Sequence, residues 1–162
     1  MAARKKAKKK VAAKTASRKK TAAKAKPKKA APNPAPVKTG RGPSAMEVAK
    51  GVVEMLKAGK PDAEIWKTWF SPKLVSVEGM GMEMAWSGLK AVQGKSEWWL
   101  SQNTVNAVEV EGPFVGATGF AIRYKMTTTA KATGETRTNE EVGVYTVQNG
   151  KVIREEFMYS MC

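Results

Sequence analysis

From residue 45 onward, apolar residues recur first at the period of a helix and later at that of a strand. Val48, Ala49, Val52, Val53 and Leu56 give one apolar face over residues 45–58. Ser44 with Glu47 three residues on forms a capping box at its start, and Gly59 supplies the stop. Pro61-Asp62 opens a second, short helix, with Asp62 and Glu64 near the positive end of its dipole. Ile65, Trp66, Trp69 and Phe70 form its buried face, and Ser71-Pro72 ends it. Leu74, Val75 and Val77 read as a strand, broken by Gly79, Gly81 and a Met-rich stretch with Met80, Met82 and Met84. Ser87-Gly88 starts a third helix to about Asn103, with Leu89, Val92, Ser96 and Trp99 on one stripe.

Beyond Thr104 the pattern alternates through 104–111, 115–130, 135–148 and 151–160. Gly112-Pro113, Thr133-Gly134 and Asn149-Gly150 are the expected turns. The order predicts an α+β fold in which a curled antiparallel sheet wraps three N-terminal helices on one face.

Charge divides the chain in two. The first 44 residues hold 16 of the 29 Lys and Arg and no acidic residue, leaving 13 basic against all 14 acidic side chains beyond. Residues 1–44 are therefore expected to be a disordered Lys/Ala/Pro-rich tail, too poor in apolar surface to offset chain entropy, and 45–162 one domain. The basic residues Arg4, Lys5, Lys6, Lys8, Lys9, Lys10, Lys14, Arg18, Lys19, Lys20, Lys24, Lys26, Lys28 and Lys29 form a dispersed line of charge. Such a line neutralises phosphates without reading base edges, so DNA or RNA is the expected partner. Another polyanion or a targeting role is the alternative. In composition the tail resembles those of linker histones and histone-like bacterial proteins. It has no apolar run of a secretory signal, and it is Lys-rich where a mitochondrial presequence is Arg-rich and amphipathic. No membrane span is expected. A lone cysteine, Cys162, rules out an internal disulfide and suits a reducing compartment. The cytoplasm is expected, at the nucleoid if the tail binds DNA.

VSVEG at 75–79, GLKAVQGKSEWW at 88–99 and GVYTVQNGKVIREEFMY at 143–159 resemble the SnoaL-like, nuclear-transport-factor-2-like group, across essentially all of 45–162. The resemblance implies a cone-shaped sheet, a pocket between its concave face and the helices, and a homodimer. It leaves the activity open, because isomerases, dehydratases, epoxide hydrolases, polyketide cyclases and binding modules share this fold. Ketosteroid isomerase, similar in fold, uses an Asp base after the first strand and a protonated Asp on the penultimate one. Those positions match Gly79 and Gly143 here, so that activity does not carry over. The chain has no histidine, which removes a His base, every His triad and the commonest metal ligand. No metal or cofactor is expected.

Carboxylates remain as the candidate chemistry. Glu141 lies two residues before Gly143 and so on the same side of its strand. A three-residue loop at 148–150 places Glu141, Tyr145, Glu155, Phe157 and Tyr159 on one face, whereas a two-residue loop brings Arg154 and Glu156 beside Glu141 instead. The family resemblance favours the first. Two carboxylates in an aromatic pocket repel each other, which raises at least one pKa and leaves an acid and a base. Alternatively these glutamates pair with Arg123, Lys125 or Arg137 on the outer face. Glu78 and Glu83 are further candidates, and Glu97 is expected on the solvent side of its helix. Trp66, Phe70, Trp86, Trp99, Tyr124, Tyr145, Phe157 and Tyr159 are the expected lining of a pocket for a hydrophobic small molecule, and the methionines a mouth for it. Trp98 is expected at an edge or dimer contact. Three functions follow: a small-molecule-binding domain with a polyanion-binding tail, a dimerisation module for a nucleic-acid-condensing tail, or an isomerase-, hydratase- or cyclase-like enzyme with a Glu pair.

Overall fold

A computed structural model describes residues 42–79 and 84–159. The basic tail over 1–41, Met80, Met82, Glu83 and Cys162 lie outside the described residues. Among the described residues the order is α1 (Ala45–Lys57), α2 (Asp62–Trp69), β1 (Phe70–Glu78), β2 (Met84–Ser87), α3 (Leu89–Gln102), β3 (Asn103–Val115), β4 (Gly119–Ala130), β5 (Thr136–Gln148) and β6 (Lys151–Tyr159). The six strands form one curved, unclosed sheet in the order β2-β1-β6-β5-β4-β3, an α+β architecture.

The first helix starts where its cap says. The Ser44 side chain accepts the Glu47 backbone N–H, and the Glu47 carboxylate accepts the Ser44 backbone N–H, closing the capping box. Val48, Ala49, Val52 and Val53 turn one face of α1 into a core shared with Ile65, Leu74, Val92, Ile122 and Val152. Burying each of the valine, leucine and isoleucine side chains among them stabilises the fold by about 1.5–3 kcal/mol.

Several expectations need correction. Phe70 belongs to β1, because the chain becomes extended immediately after Trp69 rather than at Ser71-Pro72. A short strand, β2, follows the Met-rich stretch and pairs with β1 from Val75↔Ser87 to Glu78↔Met84. The sheet is mixed: β1 runs parallel to β6, and every other pair is antiparallel. Gly112-Pro113 is no turn but a register shift inside β3, and the chain reverses at 116–118 instead. Proline is tolerated there because β3 is an edge strand, with one side of its backbone unpaired.

The last hairpin combines features that the sequence presents as alternatives. Its loop has two residues, Asn149 at φ 51° and Gly150 at φ 74°, the left-handed pair an Asn-Gly turn provides. Gln148 therefore pairs with Lys151 and Val147 with Val152, against the expected three-residue loop. Ile153 is then an extra residue in β6, and beyond it Thr146 pairs with Arg154 and Tyr145 with Glu155. The bulge restores the face that a three-residue loop would have given.

Reading across the sheet, the inward positions form rows. One runs Trp86, Ser76, Glu155, Tyr145, Phe120, Val115; the next Met84, Glu78, Phe157, Gly143, Ile122; the third Tyr159, Glu141, Tyr124, Val110. A side chain at Gly143 would place its Cβ 2.7 Å from Tyr145 Oη and 2.9 Å from its ring. Tyr145 cannot give way, since it stacks on Phe120 at 4.8 Å and meets Phe70 and Phe157 edge-on at 6.2 Å each. Gly143→Ala should therefore lower stability by about 1–3 kcal/mol, the usual cost of overpacking. Urea denaturation of the two proteins checks this; an unchanged midpoint contradicts the assigned packing.

Candidate functional site

The inward face of a sheet covered by helices should be apolar, and here it is not. Ser76 and Glu78 alternate with Leu74 along β1, Glu141 and Tyr145 along β5, and Glu155 and Tyr159 along β6. α3 adds Lys95 from its inner side. The Lys95 ammonium donates to Ser76 Oγ at 2.8 Å and to the Glu78 carboxylate, with both charged side chains only 17% exposed. It also lies 5.1 Å from the centre of the Trp86 ring and 5.2 Å from that of Phe157.

Three carboxylates thus share one interior with one lysine. Burial raises the Glu155 pKa, opposed first by its hydrogen bond to Ser76 and then by the charge of Lys95. Glu155 is 4% exposed. Glu141 is pushed up to about 7, chiefly by burial and then by the charge of Glu78. No hydrogen bond reaches its carboxylate among the described residues. The Tyr124 and Tyr145 hydroxyls bond to each other at 2.7 Å, and burial raises the pKa of both. Tyr159 is raised to about 12, by burial and then by Glu78. Among the described residues no three His, Cys, Asp or Glu side chains stand close enough to hold a metal ion.

The structure sorts the candidate residues. Glu141, Glu155, Tyr124, Tyr145, Phe157 and Tyr159 share the inward face, with Trp86 joined to them through Lys95. Glu156 is a correction: the bulge turns it outward, where it pairs with Arg154 at 3.0 Å. Trp66 and Phe70 line a different feature, an open groove of about 550 Å³ between α2, α3 and β1 that also holds Leu89 and Lys151. Phe70 connects the two, since its ring touches Tyr145. Trp99 is half-buried on α3 and is not packed against the core cluster. Glu97 is exposed, as is Trp98 at 66%. Met84 is exposed on β2.

The alternative pairing on the outer face does not involve the inner glutamates. Arg123 is held by Glu111 and Glu140, Lys125 by Glu109 and Arg137 by Glu135. Sequence reasoning missed Ser76 and Lys95. Lys95 does lie three residues after Val92 and four before Trp99, on the helix's inner stripe. Ser76 alternates with Leu74.

The sequence and fold fit a known family. The model of the SnoaL-like domain matches residues 44–159. The chain belongs to the SnoaL-like family. A Mesorhizobium loti protein named as a SnoaL-like polyketide cyclase is 41% identical, with a TM-score of 0.64 over 69% of this chain and 96% of its own. A Jannaschia protein with the same style of name is 14% identical, with a TM-score of 0.62 over 76% and 92%. A Catenulispora acidiphila protein of ketosteroid-isomerase-like fold, in complex with trimethylamine, is 11% identical, with a TM-score of 0.58 over 70% and 88%. The last two show the fold alone. No curated protein matches the chain.

A carboxyl that titrates at about 7 in the folded chain and near 4.5 when unfolded holds an extra proton in the fold between those values. Stability is therefore favoured at low pH and falls as pH rises from about 4.5 to about 7, by at most ~3 kcal/mol. Glu141→Gln removes this dependence. Urea denaturation at pH 5 and pH 8 should show the variant gaining stability over the parent at pH 8 and not at pH 5. An equal difference at both values would contradict the burial of Glu141.

Proposed function

We propose that this SnoaL-like domain binds an amphipathic small molecule against its inward aromatic rows and moves a proton on it with Glu141. The observation that carries the reading is the placement of Glu141: inward, largely desolvated, beside two further carboxylates, and without a hydrogen-bond partner among the described residues. Carboxylates held this way are expensive to bury and do little for stability. A group with a pKa near the working pH is suited both to take a proton and to return it. The reaction class is proton transfer at a carbon next to a carbonyl, as in an isomerisation or a cyclisation. Glu141 acts as base and then as acid, kept protonatable by burial, then by Glu78 and more weakly by Glu155, with the Tyr159 hydroxyl and the proton left free in the Tyr124–Tyr145 pair as donors toward a developing oxyanion. The aromatic and apolar rows hold the rest of the molecule.

Native mass spectrometry of the full chain, purified gently from its source cell, should reveal a reproducible bound small molecule. Incubated with that molecule in D₂O, the protein should exchange a carbon-bound hydrogen for deuterium. Glu141→Gln should slow this exchange by about 10²-fold or more. A bound molecule with no exchange in the parent protein would make the domain a binding module; equal exchange in both proteins would remove Glu141 from the mechanism.

The basic tail gives this domain a second contact, with nucleic acid, through charge alone. The 16 basic residues and absent acids of residues 1–44 support the reading. Binding of the full chain to duplex DNA, followed by fluorescence anisotropy, should weaken steeply with salt. A slope of log K against log salt near zero would reject it.

A further inference from the structure

Lys95 has a place that the proton-transfer reading alone does not explain. Its ammonium carries three donors, of which Ser76 and Glu78 take two. The rings of Trp86 and Phe157 both lie against it, so it cannot swing to solvent without leaving both. Glu78 on β1 is bonded to it, and Glu141 on β5 and Glu155 on β6 feel its charge; Asp62 at the start of α2, Tyr124 on β4, Tyr145 on β5 and Tyr159 on β6 interact in turn with those carboxyls or with one another. Every titratable group in that set other than Lys95 is an acid. One fixed positive charge therefore decides how many of these acids can be ionised together.

We propose that Lys95 is the positioning residue of the carboxylate set: bonded to Ser76 and Glu78 and packed against the rings of Trp86 and Phe157, it holds a positive charge on the inward face that Glu141 shares and, acting directly and against Glu78, governs the change of Glu141 from acid to base. Glu78 and Lys95 oppose each other at Glu141. The carboxylate of Glu78 makes ionising Glu141 harder, and the ammonium of Lys95 makes it easier. A pair with opposite effects can tune a third group without touching it. Ser76 links the two halves, since its hydroxyl accepts from Lys95 and also serves the Glu155 carboxylate. This inference rests on the reading of Glu141 as the proton-transfer group, but it is tested apart from it.

The test is a carbon-13 NMR titration of the glutamate carboxyls in the full chain, with Glu141 assigned through its loss in E141Q. Lys95→Met keeps length and apolar contact and removes the charge. It should raise the Glu141 midpoint by roughly one unit or more, while Glu78→Gln should lower it by a similar amount. Lys95→Arg restores the charge and should return the midpoint toward the parent value. A residue that only filled space would leave the midpoint where it was and would not show opposite shifts in the two variants. If K95M loses its cooperative unfolding transition, the same rise is read between E78Q and the double variant E78Q/K95M, which leaves no unpaired charge behind. A Glu141 midpoint unchanged within roughly 0.3 unit on removal of the lysine overturns the proposal. A parent midpoint near the ordinary carboxylate value overturns instead the role of Glu141, and the shift on removing Lys95 still decides whether the lysine governs it.

Discussion

The extra residue at Ile153 is the constraint on which the interior depends, because side chains of a strand change face at every step. With a two-residue Asn149-Gly150 loop and no bulge, β6 would turn Arg154, Glu156 and Met158 inward, and Glu155, Phe157 and Tyr159 outward. The loop fixes the start of the hairpin, and the bulge changes its parity two residues later. Val152 stays in the core before the bulge, and Glu155 enters it after. β1 then pairs parallel to the corrected part of β6, so that Ser76 meets Glu155 and Glu78 meets Phe157. One inserted residue thus brings together groups from three separate strands.

What that register assembles is costly. Three carboxylates in an apolar interior lose hydration that a single ammonium cannot replace, and burial shifts Glu155 and Glu141 both upward. The rest of the interior limits how far the groups can relax. Tyr145 is fixed by Phe120, Phe70 and Phe157, and its hydroxyl is committed to Tyr124. Lys95 is held against two rings. The outer face of the same sheet behaves differently: its charges pair across strands in solvent, where such pairs contribute little and shift little within the interior. The two faces use the same residue types for different physical ends.

The helices were legible because their signals are local. The Ser44-Glu47 box and the spacing of Val48, Val52 and Val53 involve neighbours along the chain, and both appear as read. The four later strands were legible from alternation, and the shared face of Glu141, Glu155, Phe157 and Tyr159 was among the readings. What failed depends on partners distant in sequence. Gly112-Pro113 looks like a turn unless its strand is known to lie at an edge. β2 has four residues, too few to show a period. The Ile153 bulge leaves no mark in a pattern that keeps its apolar content on both sides. Lys95 on an amphipathic helix reads as a solvated residue, because only the sheet opposite reveals that the stripe it occupies is covered.

Gly143 shows how one missing side chain sets the layout of the interior. Because this position carries no Cβ, the Tyr145 phenol lies over it. Glu141 stands two residues along the same strand and on the same face, roughly 7 Å away at the rise of a β-strand. Tyr124 and Tyr159 stand directly across from Glu141 on either side. Glu155 lies on the next strand, in the row that holds Tyr145. A glycine that makes room for a tyrosine, and a glutamate one row away, thus set a carboxyl beside phenols through the register of the sheet alone. A fold shared with other proteins does not by itself carry this arrangement, which depends on the side chains placed in each row.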